Sequence, residues 1–232
     1  MQDKFLLGDS YELIKTVPGH SIDIIITDPP YIIDIHPSKG MGKHIKKWKE
    51  YKKFIDGFDY TKMFPEFERV LKKMNLFVFC SNKQISQLMQ YWENRGFSVH
   101  LLIWHKNSVA PFVNNTYLPD VEFIIYVREK GTYMNNDVKT GFKSKVFRYP
   151  SPGTDRIHET QKPVDLIKRI LHVHSKPGDV MLDTFAGSGT MGVAAMQMKR
   201  NYIMFELEPA IFERANRRLK IERQKARQME IF

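Results

Sequence analysis

Asp28, Pro29, Pro30 and Tyr31 stand directly after the apolar run Ile22–Thr27. An amino group on an aromatic base is a poor nucleophile, because its lone pair is delocalised into the ring. Reaction at that nitrogen needs acceptors that hold the amino hydrogens and draw it toward tetrahedral geometry. Asp28 can supply one acceptor and the carbonyl of Pro29 another, with the two prolines fixing the backbone in advance. Tyr31 offers a ring on which a base flipped out of a duplex can stack. The competing reading is a proline-bearing strand end with an Asp turn, which asks for a demanding coincidence of residue types.

A second group is Asp183-Thr184-Phe185-Ala186-Gly187-Ser188-Gly189-Thr190. Here a strand runs into a glycine turn and then a helix. Glycines let a ligand approach the backbone, and a helix start offers free N–H groups. Glu206 closes the next strand, where a carboxylate can accept both hydroxyls of a ribose. That is the layout of a nucleotide-containing cofactor at a sheet edge. Gly187–Gly192 also fits the G-x-G-x-x-G dinucleotide fingerprint, a weak match alone, and a tight turn of small residues serves packing equally well. A phosphate-binding P-loop is excluded, since no Gly-Lys-Ser/Thr follows.

Elements able to position these groups are legible as apolar runs and helical spacing. Strands are expected over Lys4–Leu7, Ile22–Thr27, Leu76–Cys80, Val99–Trp104, Val121–Val127, Val180–Asp183 and Tyr202–Phe205. Unbroken apolar runs of this kind indicate strands covered on both faces. Helices are expected over Thr61–Met74, Lys83–Asn94 (with Gly96 as its C-terminal cap), Ser188–Met198 and Pro209–Gln228. The alternation implies an α/β fold with a doubly wound, mostly parallel sheet. Ile32–Asp59, Asn107–Pro119 and Lys130–Asp155 break the pattern as long polar segments. His172 and His174 read as ordinary residues near a helix end.

The 232 residues are 42% hydrophobic, enough for a single catalytic domain spanning 1–232. Net charge is +10 and the pI about 9.5, which suits a polyanionic partner without choosing among polyanions. One cysteine, Cys80, rules out an intrachain disulfide and a zinc–thiolate cluster. No metal is expected, because the eight histidines lack ligand spacing. No segment reaches the roughly 18 apolar residues of a membrane span, so a cytoplasmic location and no membrane partner are expected.

Taken together, the motifs closely resemble those of the amino-group DNA methyltransferases that use S-adenosylmethionine. Asp28–Tyr31 resembles their catalytic motif and Phe185-Ala186-Gly187-Ser188-Gly189 their cofactor motif. His158-Glu159-Thr160-Gln161-Lys162-Pro163 resembles the segment that precedes the cofactor strand, although Glu159 stands where the family often has proline. Gly8-Asp9 resembles the turn that closes on the cofactor's adenine. The catalytic motif comes first, the order of the β group, a circular permutation of the common methyltransferase sheet. The resemblance covers almost the whole chain and displaces the dehydrogenase reading. It implies that Asp9 meets the cofactor's adenine end and Glu206 its ribose. Lys162 would approach the methionine carboxylate, with Thr160 and Thr190 nearby, and Asp28 would lie between methionine end and target amino group. Phe185, Gly187, Ser188 and Gly189 would complete the cofactor site. Asp at the head of the tetrapeptide resembles the N6-adenine enzymes, whereas N4-cytosine enzymes more often carry Ser. N4 of cytosine and a DNA-binding module without catalysis are the alternatives, and RNA remains open as a substrate.

The expected partner is double-stranded DNA, with a homodimer left open. His36–Lys53 holds seven lysines against the single acid Glu50 and follows the catalytic motif directly. Lys39, Lys43, Lys46, Lys47 and Lys49 are candidate phosphate contacts within a basic insertion, 32–59, where Trp48 and Tyr51 could stack. Charge runs are more often solvated faces, and only location favours DNA here. Target recognition is expected from loops within 107–156, carrying Asn114, Asn115 and Arg148, with Lys106 just before them. The arginines and lysines of the last helix, Arg218 among them, read as a solvated face.

Overall fold

A computed structural model describes residues 3–31, 58–107, 117–153, 156–157 and 160–229. In chain order the elements are β1 (Lys4–Leu7), α1 (Ser10–Leu13), β2 (Ile24–Thr27), α2 (Tyr60–Val70), β3 (Asn75–Cys80), α3 (Ile85–Glu93) and β4 (Ser98–His105). Then follow β5 (Val121–Arg128), β6 (Val146–Arg148), α4 (Val164–His174), β7 (Val180–Asp183), α5 (Thr190–Gln197), β8 (Asn201–Glu206) and α6 (Pro209–Met229). The strands form one eight-stranded sheet, ordered β1-β8-β7-β2-β3-β5-β4-β6. Only β5 runs against its two neighbours, β3 and β4; the other pairings are parallel.

Alternating side chains split the core into two layers. Ile24, Ile26, Phe77, Phe79 and Met181 point to one face, where Leu166, Ile167, Ile170 and Leu171 of α4 and Val193 and Ala194 of α5 cover them. Ile25, Leu76, Val78 and Leu182 point to the other, against Met63, Phe64 and Phe67 of α2 and Leu88 and Trp92 of α3. With helices on both faces the sheet is doubly wound. Strands β2, β3 and β7 are buried along their whole length, as their unbroken apolar runs require.

Three features depart from the sequence reading. The helix expected to run to Met74 stops at Val70, because Leu71 turns extended (φ −72°, ψ 135°) and bridges to Ile22. Helix α4 is marked in the sequence reading only by its end at the histidines, although Val164, Ile167, Ile170, Leu171 and His174 recur at helical spacing behind Pro163. The Lys130–Asp155 stretch is not one loop. The guanidinium of Arg169 donates to the carbonyls of Gly141 (3.0 Å), Phe142 (3.1 Å) and Ser144 (2.8 Å), anchoring the chain into edge strand β6.

Adjacent strands β7 and β2 feed in opposite directions, β7 through α5 to β8 and β2 on to β3. At such a switch point the loops leaving the two strand ends diverge and open a crevice at the carboxyl edge. Both motifs singled out from sequence begin there, at Asp183 and Asp28.

Candidate active site

The floor of the crevice is a buried polar seam. Thr27 donates its hydroxyl to Asp183 Oδ1 (3.1 Å) and lies 3.0 Å from the Thr184 hydroxyl, locking the two strand ends at one level. Phe185 N–H donates to the same Asp183 oxygen (3.1 Å) and shapes the turn. Asp183 Oδ2 is buried without a partner among the described residues. Burial pushes the Asp183 carboxyl up to about 8, against the hydrogen bonds that hold its ionised form.

The glycine turn is held open from below. Gly187 and Gly189 have φ of +50° and +72°, in the left-handed region that glycine alone enters without strain, and Gly189 caps α5. Gly187 N–H donates to Glu206 Oε2 (2.8 Å) and Glu208 N–H to Oε1 (2.9 Å). A Cβ on Gly187 would meet nothing nearer than the Phe185 carbonyl at 4.0 Å, so that face of the turn is open to a ligand. Burial raises the Glu206 carboxyl, partly offset by these N–H donors. Glu206 has lone pairs left for hydroxyl donors. The β1–β8 pairing sets Leu7 beside Glu206 and Gly8 N–H donates to the Glu206 carbonyl (2.9 Å), which brings Asp9 to the same rim. Asp9 is exposed and caps α1 by accepting from Tyr11 N–H (2.8 Å).

On the β2 side, Lys162 Nζ lies 2.6 Å from Asp28 Oδ2 and 3.1 Å from Glu122 Oε2. Glu122 also takes Lys106 Nζ on Oε1 (2.9 Å) and accepts from the Tyr31 hydroxyl on Oε2 (3.2 Å). Two lysines and two carboxylates thus alternate, Lys106–Glu122–Lys162–Asp28, and their charges cancel. The Lys162 ammonium is 4% exposed and lies 5.3 Å from the Tyr31 ring centre and 5.1 Å from that of Phe79. Burial pulls Lys162 down, but Asp28 and Glu122 outweigh it and hold it charged. Burial likewise pushes Glu122 up, and Lys162 with Lys106 brings it below its ordinary value. Asp28 stays raised, because burial and the nearby Glu122 exceed the pull of Lys162 and of the Tyr31 hydroxyl. The Tyr31 phenol is driven well up by burial and both carboxylates. Asp28 Oδ1 is buried without a partner among the described residues.

Among the residues named from sequence, Asp28, Pro29, Pro30, Tyr31, Lys162, Phe185, Gly187, Ser188, Gly189, Thr190 and Glu206 gather along this one edge. Thr190 is buried, bonded to the Ser188 hydroxyl (2.9 Å) and to the Lys162 carbonyl (3.3 Å). Thr160 is exposed just before Lys162, and Arg148 is exposed on β6. Lys106, read as a base-edge reader, is instead committed to Glu122. Arg218 is not part of a solvated face: half-buried, it donates to the Ser188 carbonyl and the Thr190 hydroxyl, both at 3.0 Å, bracing the cofactor turn. Lys39, Lys43, Lys46, Lys47, Lys49, Asn114, Asn115, His158 and Glu159 lie outside the described residues. Glu122 escaped the sequence reading because it opens an ordinary apolar strand with no motif around it. No group of metal-ligating residues occurs among the described residues, and no described helix is long and apolar enough to cross a membrane.

A glycine turn backed by a strand-end carboxylate, beside an acid at the end of the adjoining strand, is the layout of an α/β enzyme with a nucleotide-type cofactor at its sheet edge. The chain belongs to the DNA methylase family, whose model matches residues 22–217. It is 30% identical to putative methylase YubD of Escherichia coli over 214 residues, 88% of this chain and 84% of that protein. It is 28% identical to the type II methyltransferase M.HinfI of Haemophilus influenzae, over 93% of this chain and 67% of that one. The M1.HpyAVI–SAM complex superposes with a TM-score of 0.69 at 27% identity, over 93% of this chain and 98% of that one. The PvuII cytosine-N4-specific DNA methyltransferase shares the fold, with a TM-score of 0.73 at 18% identity over 93% and 86%. The open glycine turn, Glu206 and the orphan oxygen of Asp183 fit S-adenosylmethionine.

Proposed function

We propose that this DNA methyltransferase methylates N6 of adenine in duplex DNA, with the target base flipped into the crevice beside Asp28. The observation that carries the reading is the free oxygen of Asp28: Oδ2 is held by Lys162, while Oδ1 is buried and uncommitted. A buried acceptor without a donor costs free energy unless a ligand supplies one, and an exocyclic amino group is such a donor. The Pro29 carbonyl is the second acceptor and the Tyr31 ring the stacking surface. Bound S-adenosylmethionine would supply a methyl carbon on a positively charged sulfur able to keep the C–S electron pair, so that the amino nitrogen could accept the methyl group. Asp28 Oδ1 can then take the proton that the nitrogen sheds.

For the cofactor, Glu206 and Asp9 hold the adenosine end, and Phe185, Gly187, Ser188, Gly189 and Thr190 line the turn. Lys162 and Thr160 serve the methionine end. Adenine rather than cytosine follows from Asp, not Ser, at the head of the tetrapeptide. The permuted β-group order is supported by the direct pairing of β2 with β7, the cofactor strand, which comes far later in the chain. Lys39, Lys43, Lys46, Lys47 and Lys49 contact DNA phosphates, and segments within 107–156, Arg148 among them, bind DNA and read the target.

The test is digestion of methylated DNA to nucleosides followed by mass spectrometry. N6-methyladenine is expected, and N4-methylcytosine alone overturns the base assignment. Replacing Asp28 by Ala should abolish transfer of labelled methyl while leaving cofactor binding measurable by calorimetry. An active Asp28→Ala variant overturns the role of the acid, and a wild-type chain that binds DNA but no cofactor is a binding module only.

A further inference from the structure

We infer that Glu122 is a positioning residue for this reaction: by holding the Lys162 ammonium and the Tyr31 hydroxyl on one oxygen, it keeps Asp28 Oδ1 free for the target amino group. The inference rests on the functional reading above.

An ammonium has three donors, and in a buried site they must find acceptors. Lys162 satisfies one on Asp28 Oδ2 and one on Glu122 Oε2. Without Glu122 the remaining carboxylate beside this cation, among the described residues, is Asp28. A flexible lysine stem would then let the ammonium bridge both Asp28 oxygens and occlude Oδ1. Glu122 cannot readily turn away, because Lys106 holds its other oxygen at 2.9 Å, and Lys106 is steadied 5.2 Å from the Trp104 ring centre. Glu122 also fixes the tilt of Tyr31 through the hydroxyl, at 3.2 Å. Antiparallel β5 brings its first residues to the edge where the parallel strands end, so Glu122 can reach a site formed by β2 and β7.

The charges facing Asp28 come from every element around it. Lys162 precedes α4, Glu122 is on β5, Cys80 on β3, Asp183 on β7, and Tyr31 follows on its own segment. Of these Lys162 and, more weakly, the Tyr31 hydroxyl favour the ionised form, and Glu122 opposes it. Cys80 is a neutral thiol, pushed up to about 12 by burial. Removing the Glu122 charge therefore moves Asp28 titration downward, toward a weaker base.

The experiment compares wild type, Glu122→Gln and Glu122→Asp in the full chain. Readouts are single-turnover methyl transfer against pH, cofactor affinity by calorimetry, and a 13C NMR titration of the Asp28 carboxyl without cofactor. Glu122→Gln should slow transfer about tenfold or more at saturating cofactor, beyond any loss of cofactor affinity that follows from loosening Lys162. The Asp28 midpoint and the acid limb of the rate profile should both fall by about one pH unit, and Glu122→Asp should restore part of the rate. Unchanged rate in Glu122→Gln overturns the inference. So does a slow variant whose Asp28 midpoint stays put and which Asp fails to rescue, since that pattern is general damage. If Glu122→Gln does not fold, Lys106→Met loosens Glu122 from outside; slowed transfer supports the inference and an unchanged rate overturns it. A wild-type chain that transfers no methyl to DNA removes the functional reading as well, which separates the two failures.

Discussion

The Lys162 ammonium and the Asp28 carboxylate lie 2.6 Å apart, though 134 residues separate them in the chain. This pairing ties the segment before α4 to the end of β2, and so joins the two halves of the crevice. It also occupies one of Asp28's oxygens and leaves the other, Oδ1, without a partner among the described residues. Removing Asp28 leaves Lys162 buried with Glu122 as its one remaining carboxylate among the described residues. Asp28→Asn should therefore cut transfer by about 10²–10³-fold, comparable to deleting a preorganised transition-state hydrogen bond, with little change in cofactor affinity. Single-turnover assays and calorimetry check both halves.

Glu206 accepts the Gly187 N–H and so stands directly behind the glycine turn. Glu206→Gln should weaken S-adenosylmethionine binding about tenfold or more, leaving DNA affinity unaltered. Calorimetry with each ligand tests this, and equal losses for both would contradict a local role.

Asp183 carries a pH consequence of its own. Its folded pKa, about 8, lies above the ordinary value of 3.8, so the folded state binds the proton more tightly. This group's contribution to stability is full below about pH 4 and is lost as pH rises toward 8. Asp183→Asn keeps an acceptor for Thr27 and Phe185 but cannot ionise. Melting temperatures of the cofactor-free protein should fall with pH between 5 and 8 less steeply in the variant than in wild type. Parallel curves would contradict the assignment.

Arg169 donates to three carbonyls between Gly141 and Ser144. Arg169→Ala strips those donors and should cost roughly 1–3 kcal/mol of stability. Amides of 140–148 should exchange faster, while the Gly187 turn keeps its protection, as hydrogen-exchange mass spectrometry can report.

For the lysine-rich insertion, replacing Lys43, Lys46, Lys47 and Lys49 by Ala should weaken DNA binding alike for every sequence. The slope of log affinity against log salt should flatten by up to about 0.9 for each phosphate that is no longer neutralised. Cofactor affinity should stay put. An unaltered slope would mark the run as solvated.

Strand and turn identities were legible in the sequence because they rest on local rules. Ile24–Thr27 and Val180–Asp183 are apolar almost throughout, which only a strand covered on both faces accounts for, and the glycines at 187 and 189 announce a turn with positive φ. Asp28 and Glu206 followed from their places at strand ends. Tertiary structure alone decided which side chains those ends would meet. Glu122 opens an unremarkable apolar strand and becomes a site residue because β5 runs backward and delivers its start to the carboxyl edge. Arg218 resembles its exposed neighbours on α6, yet the packing of that helix sends it to the Thr190 hydroxyl. Pairwise electrostatics fall off over a few ångströms, so the partner of a charge depends on three-dimensional proximity that sequence spacing does not encode.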